Sequence, residues 1–126
     1  MKLILAIAAG GALGAVARHL VAYQVTLLFG HGFPWGTLMV NVLGSFILGG
    51  VIEAVAVSWS PSEAIRGFIT VGMLGAFTTF STFSMDVVAL YQRGEWMAGS
   101  LYMLVSVALS LAGFVIGLRL LRLVLV

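Results

Sequence analysis

The sequence has no cysteine, only two histidines and two prolines, and just six basic and four acidic side chains in 126 residues. Without cysteine there is neither a disulfide framework nor a thiolate metal site, and His19 and His31 alone are too few imidazoles for metalloenzyme chemistry. No Walker-type glycine loop is present, so an ATP-driven reaction lacks its phosphate cradle, and no enzyme activity is expected. A net charge of +2 is too small to argue for a nucleic-acid partner or a polybasic lipid anchor, although the basic excess leans toward anions. Charged side chains at 8% are also too few for the surface of a soluble domain.

What the chain has in abundance is apolar: 62% hydrophobic residues and a mean hydropathy of +1.20, the composition of an integral membrane protein. Met1-Lys2 precedes an apolar run and Ala6-Ile7-Ala8 has the form of a cleavage site, but the apolar region before Ala6 is too short for a signal peptide. A spanning helix needs about 20 mostly apolar residues for a hydrocarbon core of roughly 30 Å. Four segments qualify, at 3–28, 37–57, 64–91 and 96–121. The first connection, FGHGFPWG at 29–36, is rich in glycine and carries Pro34 and an interfacial Trp35. In the second, Ser60-Pro61-Ser62-Glu63 has the form of a capping box with Ser60 as the cap, which extends the third helix to 61–91. Residues 1–126 thus read as one four-helix transmembrane domain with no room for a soluble one. Lys2, Arg66, Arg119 and Arg122 fall at one membrane face against Arg93 and Arg18 toward the other, a bias weak enough to permit insertion both ways.

Three of the four helices carry a stripe of small or polar residues at spacings near four, which places them on one face. In the first it is Ala6, Gly10, Gly14 and Arg18; in the second Asn41, Ser45, Gly49 and Glu53; in the fourth Ser106, Ser110, Gly113 and Gly117. The glycines read as close-packing seams, and the serines of the fourth helix can satisfy their own helix carbonyls. Glu53 lies within a turn of a helix end and is expected at the exposed interface. Arg18 inside a span costs about 2.5 kcal/mol or more unless it pairs or reaches water, so it either snorkels or draws anions into a wet vestibule. Asn41 either joins two helices or solvates an ion, since its amide offers donors and an acceptor.

The stretch GMLGAFTTFSTFSMD at 72–86 sets five hydroxyls at mid-membrane, interrupted by Phe80 and Phe83 and followed by Asp86. Gly72 and Gly75 followed by such a hydroxyl cluster predict a broken third helix, because a loosened backbone survives in lipid only against protein or a wet cavity. Such breaks free carbonyls for a cation and N–H groups for an anion; an intact helix using Ser and Thr between helices is the other possibility. Phe80 and Phe83 share a helical face, and their positive ring edges together with O–H groups form a weakly attractive lining for a small anion. Asp86 titrates, caps, or pairs with Arg18.

GALGAVAR at 11–18, GTLMVN at 36–41 and TTFSTFS at 78–84 stand in the order and at the spacing of the Fluc family of bacterial fluoride channels, also called CrcB, which the chain closely resembles over all four helices. The resemblance implies an all-α membrane fold that works as an antiparallel, dual-topology homodimer in the bacterial inner membrane, with two narrow fluoride pores and a broken third helix. It also implies a central structural sodium ion held by the backbone carbonyls of Gly75 and Thr78. In the same alignment Phe80 and Phe83 are the pore phenylalanines, Asn41 lies at a pore entrance, Ser81, Thr82 and Ser110 contribute a polar track, and Arg18 matches the family's arginine. This chain has Gly75-Ala76 where the family commonly pairs glycines, Phe77 where leucine is common, and Asp86 where glutamate is common. The function implied is passive release of cytoplasmic fluoride. The competing reading is a small multidrug-type proton-coupled cation exporter, which wants a carboxylate in the first helix, where this chain has Arg18. A non-transporting assembly subunit would explain the packing seams but not TTFSTFS.

Overall fold

The computed structural model describes residues 1–126, and the chain is all-helical. Four helices are long and apolar enough to cross a membrane: Lys2–Phe29, Trp35–Val57, Glu63–Gln92 and Trp96–Leu125. Each lies within a few residues of its expected bounds. The first span closes on Gly30, whose φ of 89° is open to glycine at no steric cost and whose N–H reaches the Thr26 carbonyl at 2.8 Å.

The start of the third span differs from the expected capping box. Ser62, not Ser60, is the cap: it is extended, at φ −60° and ψ 159°, and its hydroxyl accepts the Ile65 N–H at 3.2 Å. Glu63 then stands at the first helical position, where it cannot close a box but still complements the positive end of the helix dipole.

The second span packs along the fourth, and the first span lies along the amino-terminal arm of the third. Glycine makes both approaches possible. A β-carbon at Gly14 would meet the Met73 carbonyl, one at Gly10 the Phe68 carbonyl, and one at Gly72 the Ile7 carbonyl at 2.6 Å. Between the second and fourth spans, Gly49 lies on the backbone of Phe114 and Gly117 on that of Phe46. These are the small-residue seams of helix packing in lipid, where close backbone approach replaces the hydrophobic drive.

Glu53 overturns the expectation of exposure. It is only 3% exposed, and its carboxylate accepts from Arg122 Nε at 2.6 Å. The stripe that carries it turns toward the fourth span, so the acid is enclosed while Arg122 reaches it from the half-exposed end of that helix. A buried carboxylate is tolerated there because it is paired.

The third span is not continuous. Gly67–Leu74 is wound as a π-helix, with the Gly75 N–H reaching the Thr70 carbonyl, one more turn follows at Gly75–Phe77, and Thr78 and Thr79 are extended at ψ 156° and 118°. A new helix, Phe80–Gln92, then begins with the Thr79 hydroxyl as its cap, accepting from the Thr82 N–H at 3.1 Å. No non-glycine residue has a positive φ, so Ala76 in place of a second glycine is no obstacle to this break. Gly72 serves the seam with the first span rather than the break itself.

The seam geometry makes a paired prediction. Gly14→Ala drives a methyl into the Met73 carbonyl, whereas a β-carbon at the neighbouring Gly11 meets nothing within 4 Å. Gly14→Ala is expected to cost about 1–3 kcal/mol and Gly11→Ala close to nothing. Thermal loss of the monodisperse peak in size-exclusion chromatography measures both, and equal midpoints for the two variants would contradict the packing described.

Candidate functional site

The break leaves peptide groups without helical partners, and Asn41 of the second span takes up two of them. Its Nδ2 donates to the Thr79 carbonyl at 3.0 Å, and its Oδ1 accepts the Thr79 N–H at 2.7 Å. Asn41 is therefore a joint between helices and also a wall of the adjoining cavity, so the two alternatives read from the sequence coexist in one side chain. Its second Nδ2 hydrogen is not used by these two bonds.

The cavity beside this joint is about 320 Å3. It is lined by Asn41 and Ser45 of the second span, Thr78, Thr79, Phe80 and Phe83 of the third, and Ser106, Val107, Ser110 and Leu111 of the fourth. The two rings lie 5.4 Å apart at 49°, Phe83 partly enclosed and Phe80 78% exposed. No ionisable side chain lines this cavity. Ser106 is buried, and its hydroxyl is the one enclosed side-chain polar atom without a protein partner. It does not bond back to its own helix as expected of the fourth-span serines, whereas Thr78 and Ser84 do so, at 3.0 Å to the Leu74 and Phe80 carbonyls.

On the other side of Thr79 lies a second cavity, also about 320 Å3, lined by Arg18, His19, Thr37 and Thr82 among others. Arg18 is not paired with Asp86; its guanidinium points at the Thr82 hydroxyl, at 3.4 Å. Asp86 instead accepts from the Tyr102 hydroxyl at 3.1 Å. A third cavity of about 220 Å3 lies under the first connection, between Thr37, Asp86, His31 and Arg93. Thr79 is common to the first two cavities and Thr37 to the second and third, so polar walls run in series from the break to the first connection.

Of the residues expected from the sequence, Asn41, Phe80, Phe83 and Ser110 meet in the first cavity, and Arg18 and Thr82 in the second. Ser81 lines neither; it is exposed and shares a hydrogen bond with the Thr79 hydroxyl at 3.3 Å. Ser45, Ser106, Thr37 and Tyr102 were not among them. Ser45 follows Asn41 by four and Ser106 precedes Ser110 by four, so these two sit on stripes the spacing already marked, and Tyr102 lies one further step of four before Ser106. Thr37 carried no such signal.

The carbonyls of Gly75 and Thr78 have lost their regular donors. In a continuous helix the Thr79 N–H would bond the Gly75 carbonyl and the Thr82 N–H the Thr78 carbonyl. Here the first goes to Asn41 and the second to the Thr79 hydroxyl. A β-carbon at Gly75 would meet nothing closer than the Thr70 carbonyl at 3.5 Å, so this exposed glycine is not required by packing inside one chain.

The model of the family described as CrcB-like protein, Camphor Resistance (CrcB), matches residues 5–118. Among curated relatives, a fluoride-specific ion channel FluC of Rhodospirillum centenum is 48% identical over 122 residues, 97% of each chain. FluC of Nitrobacter winogradskyi is 47% identical over 121 residues, 96% of each chain. FluC 1 of Nitrobacter hamburgensis is 46% identical over 119 residues, 94% of each chain. With the family model covering nearly the whole four-span chain and its relatives aligning end to end, the protein belongs to the CrcB-like family of membrane proteins.

Proposed function

We propose that the protein is a passive fluoride channel that lets cytoplasmic fluoride leave the cell across the inner membrane. The observation that carries this reading is the cavity at the break, where hydroxyls, one amide and two phenylalanine rings, with Val107 and Leu111 beside them, line a space with no fixed charge. Fluoride is small and tightly hydrated, and a passage must replace its water with close donors while staying too narrow for hydrated competitors. Ser110, Asn41 and the unpartnered Ser106 hydroxyl are such donors, and the edges of Phe80 and Phe83 present the positive part of the ring quadrupole. Arg18, with Thr82, supplies the positive potential that draws an anion toward the break, and the exposed Ser81 extends the hydroxyl line outward. The named relatives are fluoride-specific channels, and the first span offers no carboxylate for proton-coupled cation export.

The working unit in this reading is an antiparallel homodimer with subunits inserted in both orientations. Phe80, 78% exposed, and the exposed Gly75 lie where one chain alone leaves the break uncovered, and four spans are few to enclose a polar route. A second copy would bring two more released carbonyls to the first two, so Gly75 and Thr78 of both chains would hold a sodium ion at the centre. A bound cation would offset the partial negative charge of those carbonyls and so brace the break.

Purified protein in liposomes loaded with fluoride tests the whole reading with a fluoride electrode. Fluoride efflux without chloride efflux is expected, and cation exchange driven by a proton gradient would contradict it. Phe83→Ile keeps apolar bulk but removes the ring edge; losing about 1.4 kcal/mol at the barrier slows efflux about tenfold. Efflux at the parent rate from assembled Phe83→Ile protein would remove that ring from the route. Asn41→Asp sets a carboxylate oxygen against the Thr79 carbonyl where an N–H donated. It is expected to reduce efflux by at least about tenfold. Undiminished efflux from Asn41→Asp would show that the joint is dispensable.

A further inference from the structure

We infer that Phe33, in the first connection, is a positioning residue for the ring of Phe83, acting through Tyr102; the inference rests on the fluoride route proposed above. Tyr102 is fully enclosed, at 0% exposure. Its ring lies 5.2 Å from that of Phe83, at 51°, and its hydroxyl donates to Asp86 at 3.1 Å. Phe83 and Asp86 are three residues apart on one helix, so Tyr102 grips the carboxy-terminal arm of the third span at two points one turn apart. The ring of Phe33 meets Tyr102 edge-to-face, with centroids 5.4 Å apart at 82°.

Phe33 is itself held in place. Trp35 packs on it at 4.7 Å, the Trp35 N–H donates to the Phe33 carbonyl at 2.8 Å, and Arg93 from the end of the third span donates to the adjoining Gly32 carbonyl at 3.2 Å. The result is an unbroken file of rings, Trp35, Phe33, Tyr102, Phe83 and Phe80, from the membrane surface to the candidate pathway. Each contact has the tilted or edge-to-face geometry that aromatic pairs prefer. The hydrogen bond holds the hydroxyl of Tyr102, Leu38, Val87 and Leu90 share its buried cluster, and Phe33 is the edge-to-face neighbour that fills the space on the side of the first connection. When Tyr102 shifts into that space, Phe83 loses one of its two ring neighbours and with it a single orientation toward the cavity.

The test uses two readouts. In full-length protein carrying 4-fluorophenylalanine, the 19F resonance of Phe83 is identified by its loss in Phe83→Leu, and efflux is measured on unlabelled protein in liposomes. Phe33→Leu and Phe33→Met are expected to move the Phe83 resonance and to slow fluoride efflux by between about two- and tenfold, the rate equivalent of one aromatic pair. Phe33→Tyr, which keeps the ring, is expected to restore both. Phe29→Leu, whose ring contacts Trp35 and not Tyr102, is expected to leave both as in the parent. An unmoved Phe83 resonance in the assembled Leu or Met variant overturns the inference, and so does a moved resonance with efflux at the parent rate. A parent that passes no fluoride while its Phe83 resonance still answers to Phe33 overturns the channel reading and leaves the positioning contact standing.

Discussion

A helix interrupted inside a membrane leaves peptide N–H and C=O groups where water cannot reach them, each at a cost of several kcal/mol in hydrocarbon. In this protein the amide of Asn41 meets that demand at Thr79, taking its N–H and its carbonyl in one reciprocal pair. The Thr79 hydroxyl satisfies the next N–H, at Thr82, and so starts the second arm of the span. Two threonines in extended conformation are affordable only because these three bonds are made together. Their consequence is that the carbonyls of Gly75 and Thr78 are released from the helix, and that Phe80 and Phe83 begin a new helix at mid-membrane instead of lying along a straight one.

The rest of the chain holds that joint in register. Asn41 sits on a span locked to the fourth helix by the glycines at 49 and 117 and, nearer one surface, by the enclosed Glu53–Arg122 pair. The amino-terminal arm of the third span is pressed on the first through Gly10, Gly14 and Gly72, which carries Arg18 up to Thr82. The carboxy-terminal arm is fastened to the fourth span through Tyr102, by one hydrogen bond and one ring contact. Backbone contacts of this closeness leave little freedom for sliding, so the positions of the hydroxyls and rings follow from seams far from them.

Much of this was legible in the sequence. Apolar runs of spanning length gave four helices, and stripes at spacings near four marked the faces that became seams and cavity walls. The hydroxyl density of 78–84 marked the broken span. What was not legible depended on partners distant in the chain. Nothing local says that Asn41 meets Thr79, 38 residues away, or that Glu53 meets Arg122, 69 residues away, and a glutamate near a helix end reads as exposed until the partner is known. Gly72 looked like part of the break, but its missing side chain is used by the first span. The cap at the third span went to Ser62 over Ser60 because either serine fits the local pattern, and only the extended geometry at Ser62 decides between them. Ser106 looked like a helix-satisfied serine, and its unpartnered hydroxyl emerges only once Asn41, Ser45 and Ser110 are seen around the same space.

The Asn41–Thr79 pair can be observed directly by solid-state NMR in the bilayer in which efflux is measured. With 13C in the Asn41 side-chain carbonyl and 15N in the Thr79 amide, the two nuclei belong to the acceptor and donor of one hydrogen bond of 2.7 Å. A strong dipolar coupling between them, in protein that releases fluoride, is the result expected here. Absence of that coupling, with the Thr79 amide bonded to the Gly75 carbonyl as in a continuous helix, would contradict the account at its foundation.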